Sequence, residues 1–327
     1  MREKILRLLK ENSNDFLSGE KISENFDVSR AAIWKHINTL KEEGYEIESV
    51  PRKGYRLISS PDILTYGEVE NYLDTKFIGR EIHYFNTIDS TNIKAKEIAQ
   101  EETEGTVIIS EEQTLGKGRL GRSWASPSGK GIWMSIILKP HIDPMKVAKI
   151  TQVGAAAVSL ALEDLNIKSY IKWPNDIVMN GKKVCGILTE MSCELNMINY
   201  VIMGVGINVN LNKEDFKGEI EKIGTSIKVE TGKEVNRKKL LGFFLNRFEK
   251  LYTTFVNEDN FKDTLGICRD KSILIGREVK IIRGKDEQKG KVIDISDEGE
   301  LLVDYGDNKI EKIMSGEVSV RGLYGYV

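Results

Sequence analysis

Between Gln113 and Trp124 the chain reads Gln-Thr-Leu-Gly-Lys-Gly-Arg-Leu-Gly-Arg-Ser-Trp, a stretch too rich in glycine to be an ordinary helix. Gly116, Gly118 and Gly121 penalise a helix and leave backbone N–H groups open to close approach, while Lys117, Arg119 and Arg122 bring positive charge to the same few residues. From Gln113 to Ile142 there are five basic residues and no carboxylate, in a chain with 48 basic and 50 acidic side chains, so the charge is local. Whatever the chain folds into must hold an anion-seeking loop at the end of some rigid element. The segment Gly116–Gly121 satisfies G-x-G-x-x-G, but a dinucleotide loop follows a buried strand directly and opens a helix. Here the strand-like Thr106–Ser110 gives way to polar Glu111–Thr114, and the loop runs into Ser123-Trp-Ala-Ser-Pro-Ser-Gly129, which cannot continue as a helix. No H-R-D or D-F-G follows, as a kinase glycine loop would require. A phosphate or carboxylate loop and a solvated turn both fit these residues taken alone.

Length and composition narrow the setting. A chain of 327 residues suits two or three domains, and 40% hydrophobic with 30% charged residues describes a globular protein. Met1-Arg-Glu-Lys starts no signal-peptide core, and no apolar run approaches the roughly 20 residues of a membrane span, so a cytoplasmic protein with no membrane association is expected. The three cysteines lack C-x-x-C spacing and the three histidines are isolated, which argues against zinc and disulfides and reads the cysteines as reduced core residues.

The first 60 residues carry a separate pattern. Ile5, Leu8 and Leu9 fall at helical spacing, Ser18–Asn25 reads as a second short helix, and Ser29 is placed to cap a third that buries Ile33, Ile37 and Leu40 and ends at Gly44. Two strands follow, 45–50 and 54–58, joined by a basic tip. This is winged helix-turn-helix patterning. The outward face of the third helix offers Arg30, Ala31, Trp34, Lys35 and Asn38, and the tip offers Arg52 and Lys53, at the places where phosphates and base edges would be met. Bulk charge decides little here, since the segment holds 11 basic and 10 acidic side chains. A helical interaction module that binds no DNA fits the same periodicity.

Three further clusters stand around the loop. Asp89-Ser-Thr-Asn92 opens a helix read over Thr91–Gln100, where ordinary capping would explain it. Lys172-Trp-Pro-Asn-Asp176 leads into a hairpin closed at Asn180-Gly181 with Lys182 and Lys183 beyond it, and Gly204-Val-Gly-Ile-Asn208 ends an apolar strand whose glycines suggest close approach of a ligand or another backbone. In this order and spacing the four clusters resemble the biotin protein ligases, and with the N-terminal segment the bifunctional type that also represses the biotin operon. The resemblance implies an α/β catalytic core with a mixed sheet (63–270), an N-terminal winged helix-turn-helix (1–62) and a C-terminal SH3-like β-barrel (271–327). Four short strands between Glu278 and Ile313 agree with the last of these.

The same resemblance implies the chemistry: ATP and biotin form biotinoyl-5′-AMP, and a lysine of biotin carboxyl carrier protein, the acetyl-CoA carboxylase subunit, takes the biotin. It assigns Ser90, Thr91, Asn92, Gln113, Gly116, Lys117, Gly118, Arg119 and Lys183 to biotin, and Arg119, Arg122, Trp124, Lys183 and Asn208 to ATP or the adenylate. Lys183 and Arg119 are the expected catalytic cations, and Asp176 a partner for Mg²⁺. Lys117 stands where many members have arginine, and Lys172 is expected to give structural support. Operator DNA and a homodimer promoted by biotinoyl-AMP complete the expected partners. A transcription factor whose ligase-like domain only senses a small molecule is one alternative, which the presence of Lys183 and the glycine loop disfavours. A lipoate ligase is another, disfavoured by the 116–124 loop, the 172–176 motif and the winged helix.

Overall fold

A computed structural model describes every residue except 196, 307, 308, 317 and 324. The chain packs as two units, Met1–Asn71 and Tyr72–Val327. In the first, helices α1 (Arg2–Glu11), α2 (Gly19–Phe26) and α3 (Arg30–Glu42) bury Ile5, Leu9, Ile22, Ile33, Ile37 and Leu40 against one another. Ser29 caps α3 by accepting from the Ala32 N–H, as the sequence predicts, and Ser18, read as the first residue of α2, caps it by accepting from the Lys21 N–H. The antiparallel wing of β1 (Glu46–Val50) and β2 (Gly54–Ser59) is tied to the α1–α2 connection by reciprocal 2.9 Å hydrogen bonds between Leu17 and Tyr55. Gly54 allows this contact, because a Cβ there would lie 1.9 Å from the Leu17 carbonyl oxygen. The unit extends past the expected boundary at residue 62 through the short helix α4 (Tyr66–Val69), whose buried Glu68 pairs with Lys10 of α1 at 2.8 Å.

In the second unit seven strands form one sheet in the order β3-β4-β5-β9-β8-β7-β6: Ile82–Ile88, Val107–Gln113, Ile132–Leu138, Met197–Ile207, Lys182–Glu194, Asp176–Met179 and Tyr170–Lys172. Only β3 and β4 run parallel, across the helix α5 (Thr91–Ile98). Strand β4 continues three residues beyond Ser110, because Glu112 and Gln113 pair with Thr87 and Ile88 of β3. The two-residue side-chain period sorts each strand. Ile202, Gly204 and Gly206 of β9 share a face with Ile137, Ser135 and Trp133 of β5; Ile202 and Ile137 pack on Ala95 and Ala99 beside α5, and the other positions form a floor.

The opposite face carries α6 (Val147–Glu163), where a Cβ on Gly154 would lie 2.9 Å from the Met203 sulfur. The stretch Pro144–Glu163 is, by length and composition, long and apolar enough to cross a membrane, which corrects the expectation that no such run exists. Its Val153, Ala155, Ala156, Ala157, Ala161 and Leu162 are fully buried in this protein. After two short helices, α7 (Glu219–Ile223) and α8 (Ile227–Thr231), the long α9 (Arg237–Glu258) packs beside α6 with Leu240, Leu241, Phe244, Phe248 and Leu251 buried, and α10 (Lys262–Asp270) follows. The remaining strands, β10 (Glu278–Arg283), β11 (Asp286–Ile295), β12 (Leu301–Asp304), β13 (Ile310–Ile313) and β14 (Val318–Gly322), make an antiparallel sheet in the order β13-β12-β11-β10-β14. Strand β14 adds a fifth strand to the four read from the sequence. Of the cysteines, Cys185 and Cys268 are buried, whereas Cys193 is exposed and does not belong to the core.

One buried ion pair fixes where β4 delivers Gln113. Arg237, fully buried at the start of α9, bonds Glu111 of β4 at 2.7 Å and the Gly131 carbonyl at 2.9 Å. Arg237→Ala leaves Glu111 buried without that cation, and urea unfolding is expected to register a loss of about 3–5 kcal/mol. A loss below about 1 kcal/mol would show that the pair does not hold these elements together.

Candidate active site

The carboxyl end of β4 and the first turn of α5 build a small polar chamber. Ser90, Thr91 and Asn92 are buried, and Ser90 makes no side-chain capping bond, so capping does not account for the cluster. Instead the Gln113 Oε1 accepts from the Thr91 N–H at 2.9 Å and from its hydroxyl at 3.1 Å, while the Gln113 Nε2 donates to Ser126 at 2.8 Å. Ser135 of β5, buried within the floor, lies 2.8 Å from the Thr91 hydroxyl and 2.6 Å from the Asn92 Oδ1. Asn92 also donates to Glu190 at 2.8 Å, and Lys96 pairs with the same carboxylate at 2.5 Å. Burial pushes the Glu190 carboxyl up, but the bonds from Lys96 and Asn92 outweigh it and hold the group below the usual range. The orientation of the Asn92 amide is thereby set on both sides. Nothing in the residue pattern marked Ser135 or Glu190.

The glycines of β8 and β9 are there for close approach by side chains. A Cβ on Gly204 would lie 2.1 Å from the Asn92 Oδ1, and one on Gly206 would lie 2.5 Å from the Trp124 indole nitrogen. Gly186 would meet Lys183 at 2.8 Å and Trp124 at 3.0 Å. The Trp124 indole thus lies on a glycine floor, edge-on to Trp133 with centroids 6.5 Å apart, and its N–H is buried without a hydrogen-bond partner.

The glycine loop folds back on itself. Lys117 bridges to Ser123, Gly118 N–H donates to the Arg122 carbonyl at 2.7 Å, and a Cβ on Gly116 would lie 2.4 Å from the Trp124 carbonyl oxygen. Leu120 takes a left-handed conformation with φ 56°. Arg119 reaches away from the loop and donates to the Asn175 side chain at 2.7 Å and to the carbonyls of Gly316 and Val318 at 2.7 and 3.4 Å. Burial lowers its pKa from the usual guanidinium value.

A cluster of charge closes the other side. Lys183 on β8 pairs with the Asp176 Oδ1 at 2.6 Å, to which the Asn175 amide also donates at 3.0 Å, and the Asp176 Oδ2 accepts from the Tyr326 hydroxyl. Burial pushes the Asp176 carboxyl up, yet the charges of Lys183 and Lys172 and the bonds from Lys183 and Tyr326 prevail and keep it below the ordinary range. Lys172, only 4% exposed, donates to the Tyr326 carbonyl at 2.6 Å and stands 3.4 Å from the centre of that ring. Burial lowers its pKa to about 7, with Asp176 opposing the shift and the charges of Arg321 and Lys183 adding to it.

Two cavities meet at this cluster. The smaller, about 40 Å³, is lined by Ser90, Thr91, Asn92, Gln113 and the glycines of β8 and β9. The larger, about 450 Å³, is lined by Arg122, Lys172, Asp176, Asn208 and apolar Leu211, Phe216 and Ile220. Gly118, Arg119, Trp124, Asn175 and Lys183 line both. Asn208 holds the wall of the larger one, its amide donating to the Thr225 carbonyl at 3.0 Å. The surroundings of Asp176 do not fit a protein-held Mg²⁺: both oxygens are engaged by Lys183, Asn175 and Tyr326, and among the described residues no group of three His, Cys, Asp or Glu could hold a metal.

In the first unit the residues expected to face DNA are accessible. Arg30, Ala31, Trp34 and Lys35 are exposed and Asn38 is half-buried, Trp34 at 60% despite its indole. Arg30 pairs with Glu20 at 2.8 Å on the surface. At the wing tip Arg52 and Lys53 are exposed, with Lys53 5.8 Å from the Phe16 ring centre.

Three family descriptions match successive parts of the chain: an HTH domain over residues 1–56, the biotin/lipoate A/B protein ligase family over 84–208, and the biotin protein ligase C-terminal domain over 274–321. The chain is similar to the bifunctional ligase/repressor BirA of Bacillus subtilis (strain 168), at 38% identity over 98% of each chain. It is similar to the protein so described from Escherichia coli (strain K12), at 30% identity over 94% of each. Among solved structures, the biotin protein ligase from Aquifex aeolicus in complex with biotin and ATP aligns with a TM-score of 0.65 and 32% identity, covering 74% of this chain and 99% of that one.

The depressed Lys172 pKa has a consequence for stability. Between about 7 and the ordinary lysine value of 10.5 the unfolded chain holds a proton that the folded chain has lost, so this group makes stability rise with pH across that window. Lys172→Met removes the dependence. Urea unfolding of both proteins at pH 7, 8 and 9 is expected to show the wild type gaining on the variant as pH rises, and parallel curves would show that Lys172 titrates as an exposed lysine does.

Proposed function

The chain belongs to the family of bifunctional biotin protein ligases and repressors, and from that premise we propose how its residues divide the work. The protein is an ATP-dependent ligase that makes biotinoyl-5′-AMP and passes biotin to a lysine of biotin carboxyl carrier protein, and it is a DNA-binding repressor of the biotin operon. The observation that carries the reading of the site is the shared wall: Gly118, Arg119, Trp124, Asn175 and Lys183 line both cavities at once. A reaction that joins two substrates needs such a junction, where the biotin carboxylate oxygen attacks the α-phosphorus of ATP and pyrophosphate leaves.

The small chamber suits the neutral ureido ring of biotin, which asks for uncharged donors and acceptors such as Ser90, Thr91, Asn92 and Gln113. The Trp124 indole, resting on glycines, borders both this chamber and the larger cavity. The larger cavity suits ATP, with Arg122 toward its phosphates and the apolar wall of Leu211, Phe216 and Ile220 toward the base. Lys183 and Arg119 stabilise negative charge that passes from carboxylate to phosphate, with Gly116, Lys117 and Gly118 closing over the product. Attack by the carrier lysine on the acyl carbon then releases AMP, and neither step needs a protein nucleophile. Mg²⁺ is assigned to the ATP triphosphate instead of to a protein cage.

For the second activity, Arg30, Ala31, Trp34, Lys35 and Asn38 address the major groove and Arg52 and Lys53 the flanking backbone. The nearly balanced charge of the first 60 residues favours a homodimer on two half-sites over a single copy. The exposed Leu115 and Leu120 of the glycine loop, at 64% and 56%, support that loop as part of the dimer contact once biotinoyl-AMP orders it. We place both activities in the cytoplasm.

Lys183→Gln is expected to leave a folded protein whose adenylate synthesis falls at least about a hundredfold, the scale of losing one preorganised stabiliser. Near-normal turnover would overturn the assignment. Operator binding, followed by gel shift, is expected to strengthen by roughly five- to 150-fold when biotin and ATP are added together and little with either alone. Equal affinity in all conditions would remove the corepressor role and leave the ligase standing.

A further inference from the structure

The Asp176 carboxylate meets Lys183 on one oxygen and a residue 150 positions away on the other. That residue, Tyr326, lies beyond the last strand of the C-terminal sheet and turns back into the wall of the larger cavity. Its seat is built for it. A Cβ on Gly322 would lie 2.3 Å from the backbone of Val327, so the segment folds back closely enough that only glycine fits. Lys172 donates to the Tyr326 carbonyl and lies over its ring, and Arg321 lies 5.2 Å from the same ring centre. Tyr326 is 9% exposed, and its hydroxyl is spent on Asp176. Gly316, ahead of β14, and Val318, its first residue, supply the carbonyls that hold Arg119.

We propose that Tyr326 is a positioning residue for adenylate formation: by donating to the Asp176 Oδ2 it fixes the carboxylate, and with it the Lys183 ammonium, at the junction of the two cavities. The inference rests on the reading of Lys183 given above. The carboxylate has two oxygens and two nearby ammonium groups, Lys183 and Lys172. With the hydroxyl in place, the Oδ2 is occupied and the Oδ1 faces Lys183. Without it, a buried oxygen is left unsatisfied, and the carboxylate gains by rotating to share both oxygens with the lysines, which draws Lys183 off the reacting atoms. Tyr326 borders the larger cavity, but its hydroxyl is directed at Asp176 and not at a substrate, so it acts through Asp176.

Tyr326→Phe isolates the hydroxyl, because the ring under Lys172 and the carbonyl that accepts from it both remain. In the full-length protein, the rate constant for biotinoyl-AMP formation is expected to fall about tenfold in this variant, with the KM for each substrate within twofold and a single cooperative unfolding transition retained. A double-mutant cycle distinguishes positioning from packing. If Tyr326 works through Asp176, then Asp176→Asn with Tyr326→Phe is no slower than Asp176→Asn alone. An unchanged rate in Tyr326→Phe overturns the proposal. So does a loss that multiplies undiminished in the double variant, or one that comes with a lowered melting temperature and raised KM for both substrates. Lys183→Gln run in parallel separates the two levels: normal turnover there fails the parent reading, whereas a dead Lys183→Gln beside a normal Tyr326→Phe fails only this inference.

Discussion

The ion pair between Lys183 and Asp176 is the interaction on which the rest of the site depends. A carboxylate buried this deeply is costly unless cations and donors surround it, and here Lys183, Asn175 and Tyr326 contact it while Lys172 lies close enough to lower its pKa. The group stays ionised for that reason, and an ionised Asp176 keeps an ammonium at the point where two cavities touch. Two of the partners share one hairpin and the third comes from a distant part of the chain. Lys183 sits on β8, Asp176 opens β7, and Tyr326 arrives from beyond β14. The compact charge cluster therefore also fastens the C-terminal sheet to the catalytic core, and Arg119 adds a second fastening through the carbonyls of Gly316 and Val318.

Against that charged corner stands a floor in which glycine takes the place of a side chain at three positions. Gly186, Gly204 and Gly206 cost the sheet packing and propensity that β-branched residues would have supplied. What the sheet gains is space: the Asn92 amide, the Trp124 indole and the Lys183 methylenes all lie where a Cβ would collide with them. A polar chamber can then form directly on a sheet whose other face is covered by α6. The Ser135 hydroxyl at the chamber floor and the Glu190 carboxylate at its rim fix the orientations of Thr91 and Asn92, so the donors and acceptors are arranged before any ligand enters.

Much of this was legible in the sequence because the signals are local. Glycine and charge in Gly116–Trp124 keep out an α-helix and leave a single 3-10 turn at Arg119–Gly121, Asn180-Gly181 adopts the positive φ values that close the hairpin, and Ser29 caps α3 in any fold that keeps the helix. The apolar periodicity of α1 to α3 and of α9 specified their buried faces for the same reason, since the 3.6-residue repeat needs no distant partner to be read. The four clusters in order, with the winged segment before them, were enough to indicate the family.

Tertiary structure alone decided which polar groups meet. The cluster Ser90-Thr-Asn92 reads equally as a helix cap from its residue types, and only the position of Gln113 and Ser135 across the sheet shows that its side chains serve a chamber instead. Asp176 reads as a metal ligand until Lys183, Asn175 and Tyr326 are seen to occupy its oxygens. Lys172 looks like any lysine until burial takes it out of water and moves its proton. The deciding quantity is burial or an electrostatic or hydrogen-bonding contact, and the contacts that Thr91 makes with Gln113 and Ser135 and Asp176 with Tyr326 join residues 22, 44 and 150 positions apart. Such contacts leave no period in the chain, whereas propensity, capping and turn chemistry act within a few residues and are written where they act.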